Sequence, residues 1–177
     1  MGGYWRTTAP PPGVSSSSNY ASDVYTGSGA AINNNGTWQD NNANLARIYN
    51  GYGGAASSFN NTGTYSKNGA GTTDISLAFN NTSNGAGTGI VNVDNGKLKL
   101  SNGINGATGT VNIHNNASLV LGAASSTATL TNSSSAGIDL GANNLTVYKD
   151  YDNANFGTGN SFNANANVTR TSGQIGG

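Results

Sequence analysis

The chain of 177 residues contains no cysteine and no glutamate, and only 8% of its residues are charged. The absence of cysteine excludes disulfide bonds and thiolate metal sites, although it does not fix the cellular compartment. Charge is scarce in both signs: seven Lys and Arg balance seven acids, all of them aspartate, so the formal net charge is zero. Because nothing forms the basic stripe typical of nucleic-acid-binding proteins, we expect no nucleic-acid partner.

Two further absences concern regular structure. No apolar run is long enough to cross a bilayer as a helix, and the first residues lack the apolar segment of a signal peptide. Residues that favour helix interiors are scarce, with one methionine and no glutamate, and no stretch repeats apolar residues at helical spacing. We therefore predict an all-β chain with essentially no helix and no membrane span.

Asn, Gly, Ser and Thr are abundant instead, and together they account for 96 of the 177 residues. A chain this polar could be disordered, but the high net charge that drives expansion is absent. The apolar residues are grouped in short alternating runs, such as Val91 with Val93 and Leu98 with Leu100. Alternation places one set of side chains on one face of a strand, so we predict short β-strands from residue 30 onward.

Residues 1–29 differ from the rest of the chain. They contain all three prolines, Pro10 to Pro12, and a run of four serines, Ser15 to Ser18. Polyproline is extended and serine runs are flexible, so this segment is either an extension that docks on another subunit or a linker. The predicted organisation is an extended Pro/Ser-rich segment at 1–29 and a repeat domain at 30–177.

Two motifs recur after twenty residues. The sequence FNNT at 59–62 returns at 79–82, and TGIVNVDN at 88–95 is followed by TGTVNIHN at 108–115. A period near twenty built from strands this short predicts a parallel β-solenoid, in which each repeat is one coil and stacked coils bury a continuous core. The competing architecture is an up-and-down β-sandwich, whose strands are longer and are joined by hairpins.

The alternation also predicts which residues face the core and which form corners. The residues expected to face the core of the stacked coils are Phe59, Phe79, Val91, Val93, Leu98, Leu100, Val111, Ile113, Leu119 and Leu121. Asn and Gly clusters suit coil corners, because both residues tolerate left-handed backbone geometry. Asn at equivalent places in successive coils can form a hydrogen-bonded ladder, for which Asn60 and Asn80 are candidates. For Asn92 and Asn112, a ladder and a solvent-facing position are both open.

Two segments resemble the repeats of very large bacterial surface proteins: Phe59–Gly103, which begins FNNTGTYSKNG, and Ala136–Ile175, which begins AGIDLGANN. These proteins include autotransporter-type and haemagglutinin-type passengers and proteins described as containing β-strand repeats. The resemblance covers about residues 30–175. It implies that the repeats form a right-handed parallel β-helix outside the cell or at its surface. It also implies a role as an adhesin, a matrix component or a stalk.

Few residues offer catalytic or metal chemistry. His114 is the only histidine and has no cysteine or glutamate to join it, so we interpret it as an exposed corner residue. Asp150 and Asp152 are weak Ca²⁺ candidates, with Asn153 and Asn155 as further oxygen ligands, and a solvated turn is the alternative. A catalytic pair would have to flank a glycosidic bond, and no third acid lies beside these two. We predict no catalytic residue, no metal and no cofactor.

Aromatic residues form the other candidate surface. Amphipathic rings suit the recognition of glycans or proteins, although core positions are an equally good use for them. The predicted interaction residues are Tyr4, Trp5, Tyr20, Tyr25, Trp38, Tyr148 and Tyr151, and further candidate rings are Tyr49, Tyr52 and Tyr65.

Together these observations favour a structural protein over an enzyme. A solenoid has open strand edges at both ends, and such edges favour end-to-end addition. We expect an extracellular or cell-surface bacterial protein, a subunit of a fibre, filament or biofilm matrix that assembles head-to-tail with copies of itself. The alternatives are a repeat segment of a large adhesin that binds glycans or host surfaces, and a polysaccharide-cleaving β-helix enzyme.

Overall fold

The computed structural model describes residues 23–85, 87–134 and 136–153, together with the backbone of residues 168–170 and 175–176. These residues form strands and connecting loops and contain no helix. Within the described ranges, therefore, no helix is long and apolar enough to cross a membrane. The all-β prediction is confirmed for this part of the chain.

The strands are short, most of them two to four residues long. In chain order they are β1 (Val24–Tyr25), β2 (Ala31–Asn34), β3 (Thr37–Asp40), β4 (Ala46–Tyr49), β5 (Ser58–Asn61), β6 (Thr64–Lys67), β7 (Thr72–Ile75), β8 (Ala78–Asn81), β9 (Ile90–Val93), β10 (Lys97–Leu100), β11 (Ile104–Ile113), β12 (Ser118–Leu121), β13 (Ser125–Asn132), β14 (Ile138–Asp139), β15 (Leu145–Val147), β16 (Tyr151–Asn153), β17 (Val168–Arg170) and β18 (Ile175–Gly176).

Three ladders of strand pairs run the length of the described structure, and every pairing between these strands is parallel. The first ladder has the order β1-β4-β7-β10-β12-β14. The second is β2-β5-β8-β11-β13-β15-β17, and the third is β3-β6-β9-β11-β13-β16-β18. The second and third ladders merge at β11 and β13, which are long enough to serve both.

We call one passage of the chain through the three ladders a circuit. Each strand pairs with its counterpart in the next circuit, which is the order of a chain that winds in one direction. Consecutive strands of a sandwich would instead pair antiparallel through hairpins. The parallel order rules out the up-and-down sandwich for the described strands and is compatible with a β-solenoid or β-helix.

The repeat length is less regular than the sequence motifs suggest. Partner residues are twenty positions apart between β5 and β8 and between β9 and β11, where the motifs were found. Elsewhere the separation ranges from 19 positions, between β12 and β14, to 27, between β2 and β5. The extra residues lie in the loops that join the ladders, such as residues 50–57 and 82–89. The period of about twenty is therefore local, because surface loops accept insertions that the paired strands do not.

Side chains alternate between an inner and an outer face on nearly every strand. All ten residues that the sequence predicts to face inward are buried. Phe59 and Phe79 occupy neighbouring positions of the second ladder, and their rings stack at a centroid distance of 5.0 Å and an interplanar angle of 14°. Tyr65 meets both rings edge-on, at 5.8 and 5.9 Å. The three rings form the aromatic centre of a core that runs between the ladders.

The corner between the second and third ladders is lined by glycine. Gly36, Gly63 and Gly89 precede β3, β6 and β9, and their carbonyl oxygens accept hydrogen bonds at 2.7–2.9 Å from the backbone amides of Thr64, Ile90 and Thr110 on the next third-ladder strands. A Cβ atom on Gly63 would lie 2.1 Å from the carbonyl oxygen of Gly36, and one on Gly109 would lie 2.2 Å from that of Asn81. Any larger residue would force the stacked backbones apart here.

The first circuit begins before residue 30. β1 pairs with β4, and the backbone amides of Ser28 and Gly29 donate to the carbonyl oxygens of Gly53 and Ala55. Residues 23–29 therefore belong to the paired structure, although the sequence places them in the Pro/Ser-rich segment. Residues 1–22 lie outside the described ranges.

Candidate functional site

An inner column of asparagines lies at the corner between the second and third ladders. Asn34, Asn61 and Asn81 occupy one register position on β2, β5 and β8, and all three are buried. Asn34 Nδ2 donates to Asn61 Oδ1 at 2.7 Å, and Asn61 Nδ2 donates to Asn81 Oδ1 at 2.8 Å. The hydrogen bonds of this column therefore all point toward the later circuit.

Each amide of the inner column also ties two ladders together. The Nδ2 atoms of Asn34, Asn61 and Asn81 donate to the carbonyl oxygens of Thr64, Ile90 and Thr110, at 2.9–3.0 Å. Those residues lie at the start of, or on, the third-ladder strand one circuit later. A buried polar side chain is tolerated only when its donors and acceptors are matched, and the Nδ2 donors of these amides are matched by the column and by the backbone.

An outer column runs beside the inner one with the opposite polarity. It consists of Asn33, Asn60, Asn80 and Asn105, each adjacent in sequence to an inner-column position. Here the later residue donates to the earlier: Asn60 Nδ2 to Asn33 Oδ1 at 2.9 Å, and Asn80 Nδ2 to Asn60 Oδ1 at 2.8 Å. The predicted ladder between Asn60 and Asn80 is present. Asn92 and Asn112 face outward and also form a ladder, since Asn112 Nδ2 donates to Asn92 Oδ1 at 2.9 Å.

At the first circuit, each column has one amide group without a hydrogen-bond partner among the described residues. We call β1, β2 and β3 the lower edge, because no strand in the described ranges pairs with their outer side. No described residue donates to Asn34 Oδ1, although Asn34 is only 7% exposed, and none accepts from Asn33 Nδ2. Among the described residues, the lower edge thus ends in one amide acceptor that receives no hydrogen bond and one amide donor that makes none, side by side.

The lower edge also has apolar side chains and backbone groups that no described strand pairs with. Val24, Ile32 and Trp38 pack against the core but are only partly buried, in contrast to their counterparts in later circuits. In a parallel ladder, alternate residues direct both backbone groups to the same neighbour. The carbonyl oxygens of Gly36 and Asp40 accept from the next circuit, so the backbone groups of Thr37 and Gln39 point away from it. An exposed strand edge with apolar side chains is a template for pairing with another strand.

A buried group of ionisable residues lies beside this edge, on β3 and β6. Tyr65 donates its hydroxyl hydrogen to Asp40 Oδ2 at 2.8 Å, and Asp40 Oδ1 accepts from Asn42. Lys67 Nζ donates to the carbonyl oxygens of Asn42 and Gly69. Burial raises the pKa of Tyr65 well above its usual value, with the Asp40 carboxylate as a further cause, and burial lowers the pKa of Lys67. Hydrogen-bond partners make these polar groups tolerable inside the fold.

Tyr65 predicts an alkaline limit of stability. The Tyr65 hydroxyl has a higher pKa in the folded than in the unfolded state, so its protonated form favours the folded state. This contribution to stability is complete below pH 10 and is lost as the pH rises further. We expect the free energy of unfolding, measured by urea titration, to fall with pH above 10. Tyr65→Phe should flatten this decline, and Tyr52→Phe, at an exposed ring, should leave it in place. An unchanged slope in Tyr65→Phe would contradict the assignment.

The aromatic residues separate into an exposed and a buried set. Tyr25, Tyr49 and Tyr52 form an outer cluster, with ring centroids 4.8 Å apart for Tyr25 and Tyr49 and 5.8 Å for Tyr25 and Tyr52. The guanidinium of Arg47 lies 5.1 Å from the Tyr49 ring and pairs with Asp23. Tyr25 and Tyr52 are exposed in this cluster, and Tyr49 is half-buried.

The other predicted interaction residues lie elsewhere. Tyr148 is partly exposed, and Trp38 is partly buried with its ring edge-on to Phe59 at 5.3 Å. The placement of Tyr151 on an outer surface is corrected: the alternation of β16 turns its ring into the core, as β6 does for Tyr65. Tyr4, Trp5 and Tyr20 lie outside the described residues.

The candidate Ca²⁺ residues lie only partly within the described structure, because Asn155 is outside it. Asp150 and Asp152 are both exposed, on either side of the buried Tyr151. His114 pairs with a residue of the previous circuit, since its Nδ1 lies 2.6 Å from Asp94 Oδ1. In the described ranges no group of three or more His, Cys, Asp or Glu residues could hold a metal ion. His114 therefore connects two corners, which the sequence interpretation of an isolated corner residue did not foresee.

The inner column is the feature that the sequence interpretation missed. The signal was present, because the alternation that turns Phe59 inward and Asn60 outward must also turn Asn61 inward. The same pattern recurs at Ile32, Asn33 and Asn34, where isoleucine in place of phenylalanine hid the repeat.

A search of family models, of curated proteins and of solved structures finds no match to the chain.

Proposed function

We propose that the chain is a right-handed parallel β-solenoid that serves as an extracellular structural subunit and lengthens by end-to-end stacking of copies. The observation that carries this proposal is the lower edge, which combines amide and backbone groups that no described residue pairs with and apolar side chains that are only partly buried. The right hand follows from the general preference of crossovers between parallel strands. Solenoids that remain monomeric need polar caps over such an edge.

The outer faces support a structural role over a catalytic one. Apart from Asp150 and Asp152, which lie two residues apart on one segment, the described acidic residues on them are spread over several circuits. Three are paired with basic residues: Asp23 with Arg47, Asp74 with Lys99 and Asp94 with His114. Glycoside hydrolysis needs two carboxyl groups facing one bond. These ion pairs and the asparagine columns instead hold one circuit on the next. An extracellular location rests on the resemblance to bacterial surface repeats and agrees with the absence of cysteine.

Gln39→Pro is expected to block assembly at the lower edge. The side chain of Gln39 is exposed and its N–H group points to the free edge, so proline should be tolerated in the single copy while it removes a donor and obstructs an added strand. The measurement is negative-stain electron microscopy with sedimentation over a range of concentrations. We expect filaments from the parent protein and single copies from Gln39→Pro.

Gln39→Ala is the matched control, because it removes the same side chain but keeps the N–H group. It should form filaments like the parent protein. Uniform single particles of the parent protein at high concentration would refute the proposed function. Filaments of Gln39→Pro equal in length to those of Gln39→Ala would show that β3 is not the assembly edge.

A further inference from the structure

The register of the second ladder can be followed from the lower edge to the last described strand. The position of Asn33 continues through Asn60, Asn80, Asn105, Ser126 and Thr146 to Thr169. The position of Asn34 continues through Asn61 to Asn81, and the position that follows Asn105 continues it from Gly106 through Thr127 and Val147 to Arg170. We call β17 and β18 the upper edge, since no described strand follows them in their ladders.

The residues at the two edges complement each other position by position. No described residue accepts from the Asn33 amide donor, and its column ends at Thr169, whose residue type can accept. No described residue donates to Asn34 Oδ1, and its column ends at Arg170, whose residue type only donates. Exchange of the two pairings would set the Asn33 donor against arginine, whose side chain has no acceptor.

The apolar positions agree with the same register. Ile32 begins the column that ends at Val168, and Trp38 begins the column that ends at Ile175. Stacking in this register therefore sets apolar positions on apolar ones in both ladders. A shift by one residue would turn every inward position outward, and a shift by two would set Ile32 on Arg170.

We propose that the partner of the lower edge is the upper edge of a second copy of this chain, in the register that sets Asn33 on Thr169 and Asn34 on Arg170. This inference rests on the proposed function, and it adds the partner and the register of the junction. The polarity of the columns matches the direction of growth: in the inner column each circuit donates to the later one, so Asn34 must receive its donor from the copy below.

Because the chain has no cysteine, the junction can be mapped by single cysteines without background. Asn33→Cys and Thr169→Cys are prepared separately, mixed, allowed to assemble and oxidised. Adjacent positions of paired strands are about 4.8 Å apart, which is within the Cα range of a disulfide. We expect a disulfide-linked dimer that contains one copy of each variant. Ala31→Cys mixed with Thr169→Cys is the control, since a two-residue offset puts the Cα atoms beyond about 7 Å.

The results distinguish a failure of the proposed junction from a failure of the proposed function. Mixed dimers from Asn33→Cys and Thr169→Cys, with few from the control, support the junction. Filaments without mixed dimers, or with more dimers in the control or in either variant alone, overturn the junction and leave end-to-end assembly standing. Absence of filaments in the cysteine-free parent overturns the proposed function and the junction together.

Substitution of Arg170 gives a second measurement that does not depend on oxidation. Arg170→Leu leaves the Asn34 acceptor without a donor in the junction, and we expect the critical concentration for assembly to rise about tenfold. Arg170→Gln keeps a donor and should restore assembly to within a few-fold of the parent protein. Equal critical concentrations for Arg170→Leu and Arg170→Gln would contradict the pairing of Arg170 with Asn34.

Discussion

Phe59→Ala is expected to lower the free energy of unfolding by about 3–5 kcal/mol, the usual cost of removing a buried phenylalanine. Phe59 has no exposed surface and lies in contact with the rings of Trp38, Tyr65 and Phe79, at centroid distances of 5.3, 5.8 and 5.0 Å. These neighbours belong to three successive circuits. The cavity therefore weakens the contact between circuits as well as the packing within one.

Urea unfolding in dilute solution, below the concentration of assembly, measures this effect without a contribution from copy–copy contacts. Phe59→Leu is the matched control and should lose less, because leucine fills most of the volume and stays apolar. A loss below about 1 kcal/mol for Phe59→Ala would mean that the aromatic centre does not hold the circuits together.

Asn61→Ala is expected to lower the free energy of unfolding by about 2–4 kcal/mol, although asparagine is polar and alanine is not. The substitution leaves Asn81 Oδ1 and the carbonyl oxygen of Ile90 without their donor, and Asn34 Nδ2 loses one of its two acceptors. Each unmatched buried polar group costs about 1–3 kcal/mol.

The neighbouring residue supplies the control. Asn60 has the same chemistry and an analogous pair of column contacts, but it faces outward, where water can replace a lost partner. Asn60→Ala should therefore cost no more than about 1 kcal/mol in the same urea titration. Equal losses for Asn60→Ala and Asn61→Ala would show that the inner column contributes nothing beyond a surface ladder.

The all-β fold and its core could be predicted from the sequence because both follow from local alternation. Val91 with Val93 and Leu98 with Leu100 each place two apolar side chains on one face, and the twenty-residue step from Phe59 to Phe79 sets neighbouring circuits in register. The loops of the other circuits could not be predicted in this way. Their lengths vary because only the paired strands are constrained by their neighbours.

The candidate site was harder to predict because it depends on which polar residues turn inward. Asn60 and Asn61 are the same residue type, and only their positions in the alternation make one amide face the surface and the other the core. The buried Asp40, Tyr65 and Lys67 were not predicted for a related reason: each is polar by type and is made tolerable by partners on other strands or in a corner loop. Such partners come together only once the register of the third ladder is known.

Cryo-electron microscopy of the assembled protein measures the stacking of copies directly. Within the described residues the second ladder contains seven strands, one for each circuit, so copies that stack through β2 and β17 should repeat along the filament axis every ~34 Å, at ~4.8 Å per circuit. Filaments with this axial rise and with strands perpendicular to the axis are the expected result. Single particles at high concentration, or filaments whose copies contact each other through their sides and leave the strand edges free, would contradict end-to-end stacking.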